Sequence, residues 1–245
     1  MMLHTLPDRT GSAAENMALD FLLLQRYPHA AARFRHYDWR RAAFTFGYSQ
    51  KIAFVRSQLP PDGDFDLCRR PTGGGLVDHR EDWTYALVIP RGHPLEEVAA
   101  GQSYRVVHEA LAAALRRQRV PAVAKQSCEP PAEGASGAAT GVCFQRAELY
   151  DVVDEKTGGK IAGAAQKRNK HGLLFQGSIW RPAVGGAVDW DIFHDDFIVE
   201  LAAALACAAE AVPWPELAEH EVEGLTEQYA APEWNESRRP LNPLA

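Results

Sequence analysis

An α+β fold, with a mixed and largely antiparallel sheet and packed helices, is what this chain predicts, on three observations. Strand-like and helix-like segments come in separate runs rather than in strict alternation. Neighbouring strand-like segments are joined by short Gly-containing turns that favour antiparallel hairpins. Two long stretches carry apolar residues at helical spacing. At 245 residues, 46% of them hydrophobic and 24% charged, the chain can bury a substantial core. The expected organisation is one domain over 1–245, with a helical segment from about 190 to 245.

Residues 12–27 read as the first helix, because Ser12 is a capping residue and Met17, Phe21 and Leu24 recur at helical spacing behind Ala13, Ala14 and Glu15. Segments 32–37, 43–48, 65–70 and 84–89 read as strands: they are short, rich in aromatic and β-branched residues, and bounded by Pro, Gly, Asp or Arg. Residues 103–119 place Val106, Val107, Ala110, Leu111, Ala114 and Leu115 on one helical face. They end in Arg116, Arg117 and Arg119, which complement the helix dipole. From 129 to 141 Pro, Gly, Ala and Ser leave almost nothing to pack, so the composition predicts a mobile surface loop. Strands follow at 149–154, 160–166 and 173–180, joined by Glu155-Lys-Thr-Gly-Gly159 and then by 167–172. Residues 190–212 read as one long helix stopped by Pro213-Trp-Pro215, and 216–229 as a last helix before a Pro-rich tail.

A net charge of −6 argues against a surface built for nucleic acid. The apolar run 19–24 is broken by Asp20 and preceded by Glu15, which fits neither a signal peptide nor a membrane span, so a cytoplasmic protein with no membrane partner is expected. Cysteines stand at 68, 128, 143 and 207, without a CxxC pair or a His/Cys cluster at zinc spacing, and neither a disulfide framework nor a metal site is expected. Cys207, in an alanine-rich helical stretch, and Cys68, at the end of an alternating strand, read as core filler. Nothing in the sequence around Cys128 would activate it. Cys143 differs through its neighbourhood.

Two stretches carry chemistry. Arg69-Arg-Pro-Thr-Gly-Gly-Gly-Leu-Val-Asp-His79 follows a strand; its glycines let backbone N–H groups approach a ligand, and its arginines offer charge to an oxygen anion. The same string also fits a plain glycine turn flanked by solvated arginines. It is not a phosphate-binding P-loop, since the closing Lys-Ser/Thr is absent. Cys143-Phe144 precedes the first strand of a hairpin, and Lys160 opens the second, in Gly159-Lys-Ile-Ala-Gly-Ala-Ala-Gln166. A hairpin brings such positions together, and a nearby ammonium favours thiolate and steadies an oxyanion. A packing cysteine and a solvated lysine are the alternative.

Taken together, Arg69-Arg-Pro-Thr-Gly-Gly-Gly75 with His79, and Gly159-Lys-Ile-Ala-Gly-Ala-Ala-Gln-Lys-Arg168, resemble the two signature segments of the lipoate/biotin protein ligase and octanoyltransferase superfamily. Asn16-Met-Ala-Leu-Asp20 and Phe44-Thr-Phe-Gly-Tyr-Ser-Gln50 are similar to that family's opening helix and next strand, so the resemblance runs in order through most of 12–180. It implies a fold of the class II aminoacyl-tRNA synthetase and biotin ligase type. Cys143-Phe144 with Tyr150-Asp151 resembles the cysteine-dependent octanoyltransferases. ATP-dependent ligases usually carry an Arg-Asn-Asp run where this chain reads Arg146-Ala-Glu-Leu-Tyr-Asp151, and many carry a separate C-terminal accessory domain that is not expected here. The triple glycine 73–75 is closer to the ligase form of the loop, and the hairpin turn is longer than usual.

The resemblance implies an acyltransferase of lipoate biosynthesis. An octanoyl or lipoyl group would pass from acyl carrier protein, through a thioester on Cys143, to a lysine of a lipoyl-domain protein such as glycine cleavage H protein or a 2-oxoacid dehydrogenase E2. Cys143 would accept the acyl group, and Lys160 would lower its pKa and hold the carbonyl oxygen. Arg70, Thr72, Gly73, Gly74, Gly75, His79, Gly163, Ala164 and Gln166 would bind substrate, and no cofactor or metal is required. Phe44, Phe46, Leu76, Val77 and Leu174 are candidates for an acyl slot and equally for plain core. His79 serves the loop or the ligand; Lys167, Arg168 and Lys170 form a basic turn that meets an acidic carrier or simply faces solvent; residues 129–141 are a candidate lid. The alternatives are an ATP- and Mg-dependent lipoate or biotin protein ligase, a non-catalytic acyl-carrier-binding relative, and an amidotransferase that moves octanoyl between carriers.

Overall fold

The computed structural model describes residues 1–127, 147–185 and 188–241. The chain begins with β1 (Met2–Thr5), β2 (Arg9–Gly11), α1 (Ala13–Gln25), β3 (Ala32–Trp39), β4 (Ala43–Phe46) and α2 (Ile52–Gln58). It continues through β5 (Asp66–Arg69), β6 (Leu76–Asp78), β7 (Asp82–Pro90), α3 (Pro94–Glu97), α4 (Ala100–Arg117) and β8 (Ala122–Ala124). It closes with β9 (Val152–Asp154), β10 (Lys160–Asn169), β11 (Gly172–Trp180), α5 (Trp190–Ala204), β12 (Ala208–Ala211), α6 (Glu219–Ala230) and α7 (Pro232–Ser237).

The larger sheet runs β12-β1-β3-β7-β11-β10-β9-β8, with β2 added to β3, and the smaller runs β5-β4-β6. Pairing is antiparallel from β3 across to β8 and parallel where β1 meets β3 and β12, the mixed and largely antiparallel α+β arrangement that the sequence predicts. Trp83, Tyr85, Leu87 and Ile89 of β7 pack with Leu111 and Leu115 of α4 and with Phe193 and Phe197 of α5. The alternate residues Ala86 and Val88 join Leu23 and Leu24 of α1. Both faces of β7 are therefore covered along its second half, where residues 86–89 run apolar without a break. Helix α1 starts at a capping box, with Ser12 accepting from the Glu15 N–H and the Glu15 carboxylate accepting from the Ser12 N–H at 2.6 Å. It is buried nearly all round because its other side packs Ala13, Met17 and Ala18 against Ala43, Cys68 and Tyr229.

The helix expected over 190–212 is corrected: α5 ends at Ala204, Ala206 takes a left-handed φ of 50°, and β12 pairs in parallel with β1 from Met2↔Ala208 to Thr5↔Ala211. The alanine-rich sequence favours helix, but the open edge of β1 offers a row of unpaired backbone groups, and pairing them overrides propensity. Cys207 thus lies in the turn before β12 rather than inside a helix, half-buried against the main core. The expected strand 149–154 shrinks to three residues because Tyr150, at φ 67°, turns the chain just before it. Strands β1, β2, β6 and β8 and helices α2, α3 and α7 lie outside the elements expected from sequence, α7 falling in what reads as a Pro-rich tail. The loop over 129–141, its lid role, Cys128 and Cys143 all fall outside the described residues.

Candidate active site

A narrow cleft of about 360 Å³, counting its open mouth, lies between the larger sheet, the smaller sheet and α1. Gly163, Ala164 and Ala165 of β10 form one wall and Gln176, Gly177 and Ser178 of β11 the next; Met17, Trp39, Val77 and Arg70 close it from the opposite side.

Lys160 reaches this wall through a β-bulge. Its cross-strand partner is Val153, whereas Ala162, two residues on, faces Val152, so an extra residue is inserted and Lys160 lies on the face of Gly163. The side chain is 5% exposed, and its Nζ stands 2.7 Å from Asp151 Oδ2. Asp151, itself buried, also accepts from the Glu148 N–H at 2.7 Å and from the Tyr104 hydroxyl, and Tyr104 in turn accepts from the Ala164 N–H at 2.9 Å. A buried charge pair with its remaining lone pairs satisfied is fixed in position rather than fluctuating. Gly163 leaves room for it: a Cβ there would stand 2.8 Å from Lys160 Nζ and 3.0 Å from Asp151 Oδ1. The two glycines of Gly159-Lys-Ile-Ala-Gly163 are not equivalent, since only the second touches the ammonium. Behind the pair, His108 sits one turn from Tyr104 on α4, with Nδ1 2.7 Å from the Tyr150 carbonyl, and burial pushes its pKa down to about 4.

The glycine loop is braced from within. Arg70 donates to Thr45 Oγ1 and to the carbonyls of Gly73 and Gly75 at 2.8–2.9 Å. Arginine only donates, so Thr45 accepts from it and has its own proton to give to His79 Nε2, 2.6 Å away. His79 Nδ1 then donates to Asp82, which also receives Thr84 and Ser178. Gly74 takes φ 86°, and a Cβ on Gly47 would fall 2.0 Å from the Gly74 carbonyl oxygen, so the loop lies flat on a glycine of the strand end opposite. A Cβ on Gly73 would meet nothing within 4 Å, which leaves its backbone approachable. On the other side Thr72 donates to Gln176, whose amide donates to the buried Asp20 of the Asp20–Arg35 ion pair. Burial raises the Asp20 pKa and the charge of Arg35 opposes that.

Arg70, His79, Gly163 and Ala164 line the cleft; Thr72 and the three glycines border it, and Lys160 stands beside Gly163. Gln166 is not brought to it: its amide bonds the Ala100 carbonyl and the Ser103 hydroxyl at the start of α4. Arg69 also turns away, donating to the carbonyls of Tyr48, Gln50, Trp234 and Asn235. Of the acyl-slot candidates, Val77 alone lines the cleft, while Phe44, Phe46 and Leu76 form the core of the smaller sheet and Leu174 packs under α1. Cys68 and Cys207 have thiol pKa values raised by burial, the opposite of an activated nucleophile. Sequence reasoning missed Tyr104, His108, Asp82 and Gln176. The first two stand four apart on α4 beside its apolar stripe, and that spacing was the available signal.

The sequence matches the profile of the lipoyl protein ligase A/B catalytic domain over residues 12–181. It is 33% identical over 191 residues to an octanoyltransferase LipM of Bacillus cereus, covering 76% of this chain and 66%, just under two thirds, of that relative. Among solved structures, a lipoate-protein ligase A bound with ATP superposes with a TM-score of 0.70 at 17% identity, over 96% of this chain and 98% of that one. A bipartite lipoate protein ligase of Thermoplasma acidophilum, solved in a study that includes its E2 lipoyl domain, matches with a TM-score of 0.70 at 17% identity, over 99% and 98%. The structural likenesses bear on the fold; with the profile covering the cleft and both signature segments, the chain belongs to the lipoyl protein ligase A/B catalytic domain family.

Proposed function

We propose that this chain is an octanoyltransferase that carries the acyl group on Cys143. The thiolate attacks the thioester of octanoyl-acyl carrier protein and releases the carrier thiol; a lysine of a lipoyl-domain protein then attacks the new thioester, and the Cys143 thiolate leaves as the amide forms. The observation that carries this reading is Lys160, a buried ammonium fixed by Asp151 against a residue without a side chain, next to a narrow cleft. A cation held in place before the reaction stabilises the oxyanion of both acyl-transfer steps without reorganising. Cys143 precedes Ala147 in the sequence by four positions, and Ala147 opens the described segment that leads to Asp151 and Lys160. Ala147 accepts from Lys125, whose backbone N–H bonds the Asp151 carbonyl. The name of the Bacillus cereus relative points the same way, and the archaeal ligase's E2 lipoyl domain indicates the class of acceptor.

The reading treats residues 1–245 as one catalytic unit acting in the cytoplasm, needing neither metal nor ATP, with Arg70, Thr72, Gly73, Gly74, Gly75, His79 and Ala164 shaping the acyl site. The test is transfer in vitro: purified protein, octanoyl-acyl carrier protein and an unmodified lipoyl domain, with and without ATP. The acceptor is expected to gain the mass of one octanoyl group in the absence of ATP. Modification only with free octanoate and ATP would establish the ligase instead.

A further inference from the structure

On β10, Gly163 and Ala165 line the cleft, and Lys167, two residues beyond Ala165, continues the same face about 13 Å from Gly163. There the Lys167 ammonium lies 5.7 Å from the centre of the Tyr48 ring, and the Arg238 guanidinium lies 5.6 Å from that same ring. Tyr48 is part of the rim of the glycine loop: its N–H donates to the Thr72 carbonyl at 2.8 Å, and Gln50, two residues on, donates to the Gly74 carbonyl. Tyr48 is 40% exposed. Arg69 adds a third positive charge by donating to the Tyr48 carbonyl, and its pKa is lowered by burial and by the charge of Arg238. Among the described residues no carboxylate pairs with Lys167 or Arg238, in a chain whose net charge is −6. Cations drawn from distant parts of the sequence repel one another unless an anion joins them, and an aromatic face offsets only part of that repulsion.

We propose that this rim is an anion site that takes the phosphate of a pantetheine thioester arm while the acyl end of the arm reaches Lys160. The inference rests on the thioester-donor reading above. Such an arm is uncharged between its sulfur and its phosphate, and the wall from Gly163 to Ala165 presents no charged side chain until Lys167. A guanidinium and an ammonium together suit phosphate oxygens. The shared phosphate chemistry covers an arm attached to a carrier protein and one in coenzyme A.

The experiment has a binding part and a kinetic part. Calorimetric titration of the full chain compares 4′-phosphopantetheine with pantetheine; kinetics compare octanoyl-pantetheine, octanoyl-coenzyme A and octanoyl-acyl carrier protein. The wild-type protein is expected to prefer the phosphate-bearing arm by about tenfold, and a Lys167→Ala/Arg238→Ala double variant to lose that preference. The KM for both phosphate-bearing donors rises by about tenfold in the double variant, and turnover of octanoyl-pantetheine stays unchanged. Single Lys167→Gln and Arg238→Gln variants give intermediate values and guard against a folding defect. The proposal is overturned by no phosphate preference in the wild-type protein, by a preference that survives the double variant, or by a loss confined to the carrier-protein donor. Phosphate-selective binding without any transfer would leave the anion site in place and refute the transferase reading.

Discussion

The Lys160–Asp151 pair owes its position to an atom that is missing, the Cβ of Gly163. A methyl group there would press on Lys160 Nζ and Cε and on Asp151 Oδ1, all side-chain atoms and none of them backbone. Gly163→Ala should therefore keep the fold at a cost of about 1–2 kcal/mol. Transfer should fall on the order of 100-fold, because the ammonium is pushed off its mark. Thermal melts beside initial rates check this, and unaltered rates would show that the position of the ammonium does not matter. His108 offers a second test at this scale. Its folded pKa of about 4 lies below the ordinary 6.5, so the unfolded chain takes up a proton that the native protein refuses. Stability should fall as pH drops from about 6.5 towards 4, by on the order of 3 kcal/mol in all, and should be insensitive to this group above that window. His108→Asn keeps a donor near the Tyr150 carbonyl and cannot titrate; chemical denaturation across that range should lose this part of its slope.

At the scale of elements, the sequence was readable where local chemistry and tertiary context agree. The Ser12 capping box, the apolar face of α4 and the two turns bounding β10 each carry their cause within a dozen residues. What stayed hidden depends on distant partners. β12 exists because β1 has an open edge, and the face that Lys160 presents depends on a bulge that no pattern of apolar residues announces. Arg69 is the sharpest case: beside a glycine loop it suggests a ligand contact, whereas it is buried against α7, whose Asn235 accepts the Arg69 N–H at 2.6 Å. Asn235→Ala leaves that N–H buried without a partner and also removes the amide bonds to Tyr229 and Ala231. A loss of about 2–3 kcal/mol in denaturant unfolding is expected. A change below 0.5 kcal/mol would mean that α7 does not hold the loop's base.

For the molecule as a whole, the cleft exists because α1 separates two sheets and the glycine loop returns across the gap onto Gly47. Both signature segments were visible in the sequence because each is contiguous. The network that turns them into a site, with Tyr104, Asp151 and His108 behind the lysine and Asp82 and Gln176 beneath the loop, is assembled from separate elements and shows only in three dimensions. The proposed chemistry centres on a covalent octanoyl carrier on Cys143 served by the ammonium of Lys160. Its most direct test is mass spectrometry of the Cys143 peptide after brief incubation with octanoyl-acyl carrier protein and no acceptor. One octanoyl group on that peptide in the wild-type protein, labile to hydroxylamine and formed far more slowly by Lys160→Ala, is the predicted result. A wild-type peptide that stays unmodified while the same sample modifies a lipoyl domain would contradict the account.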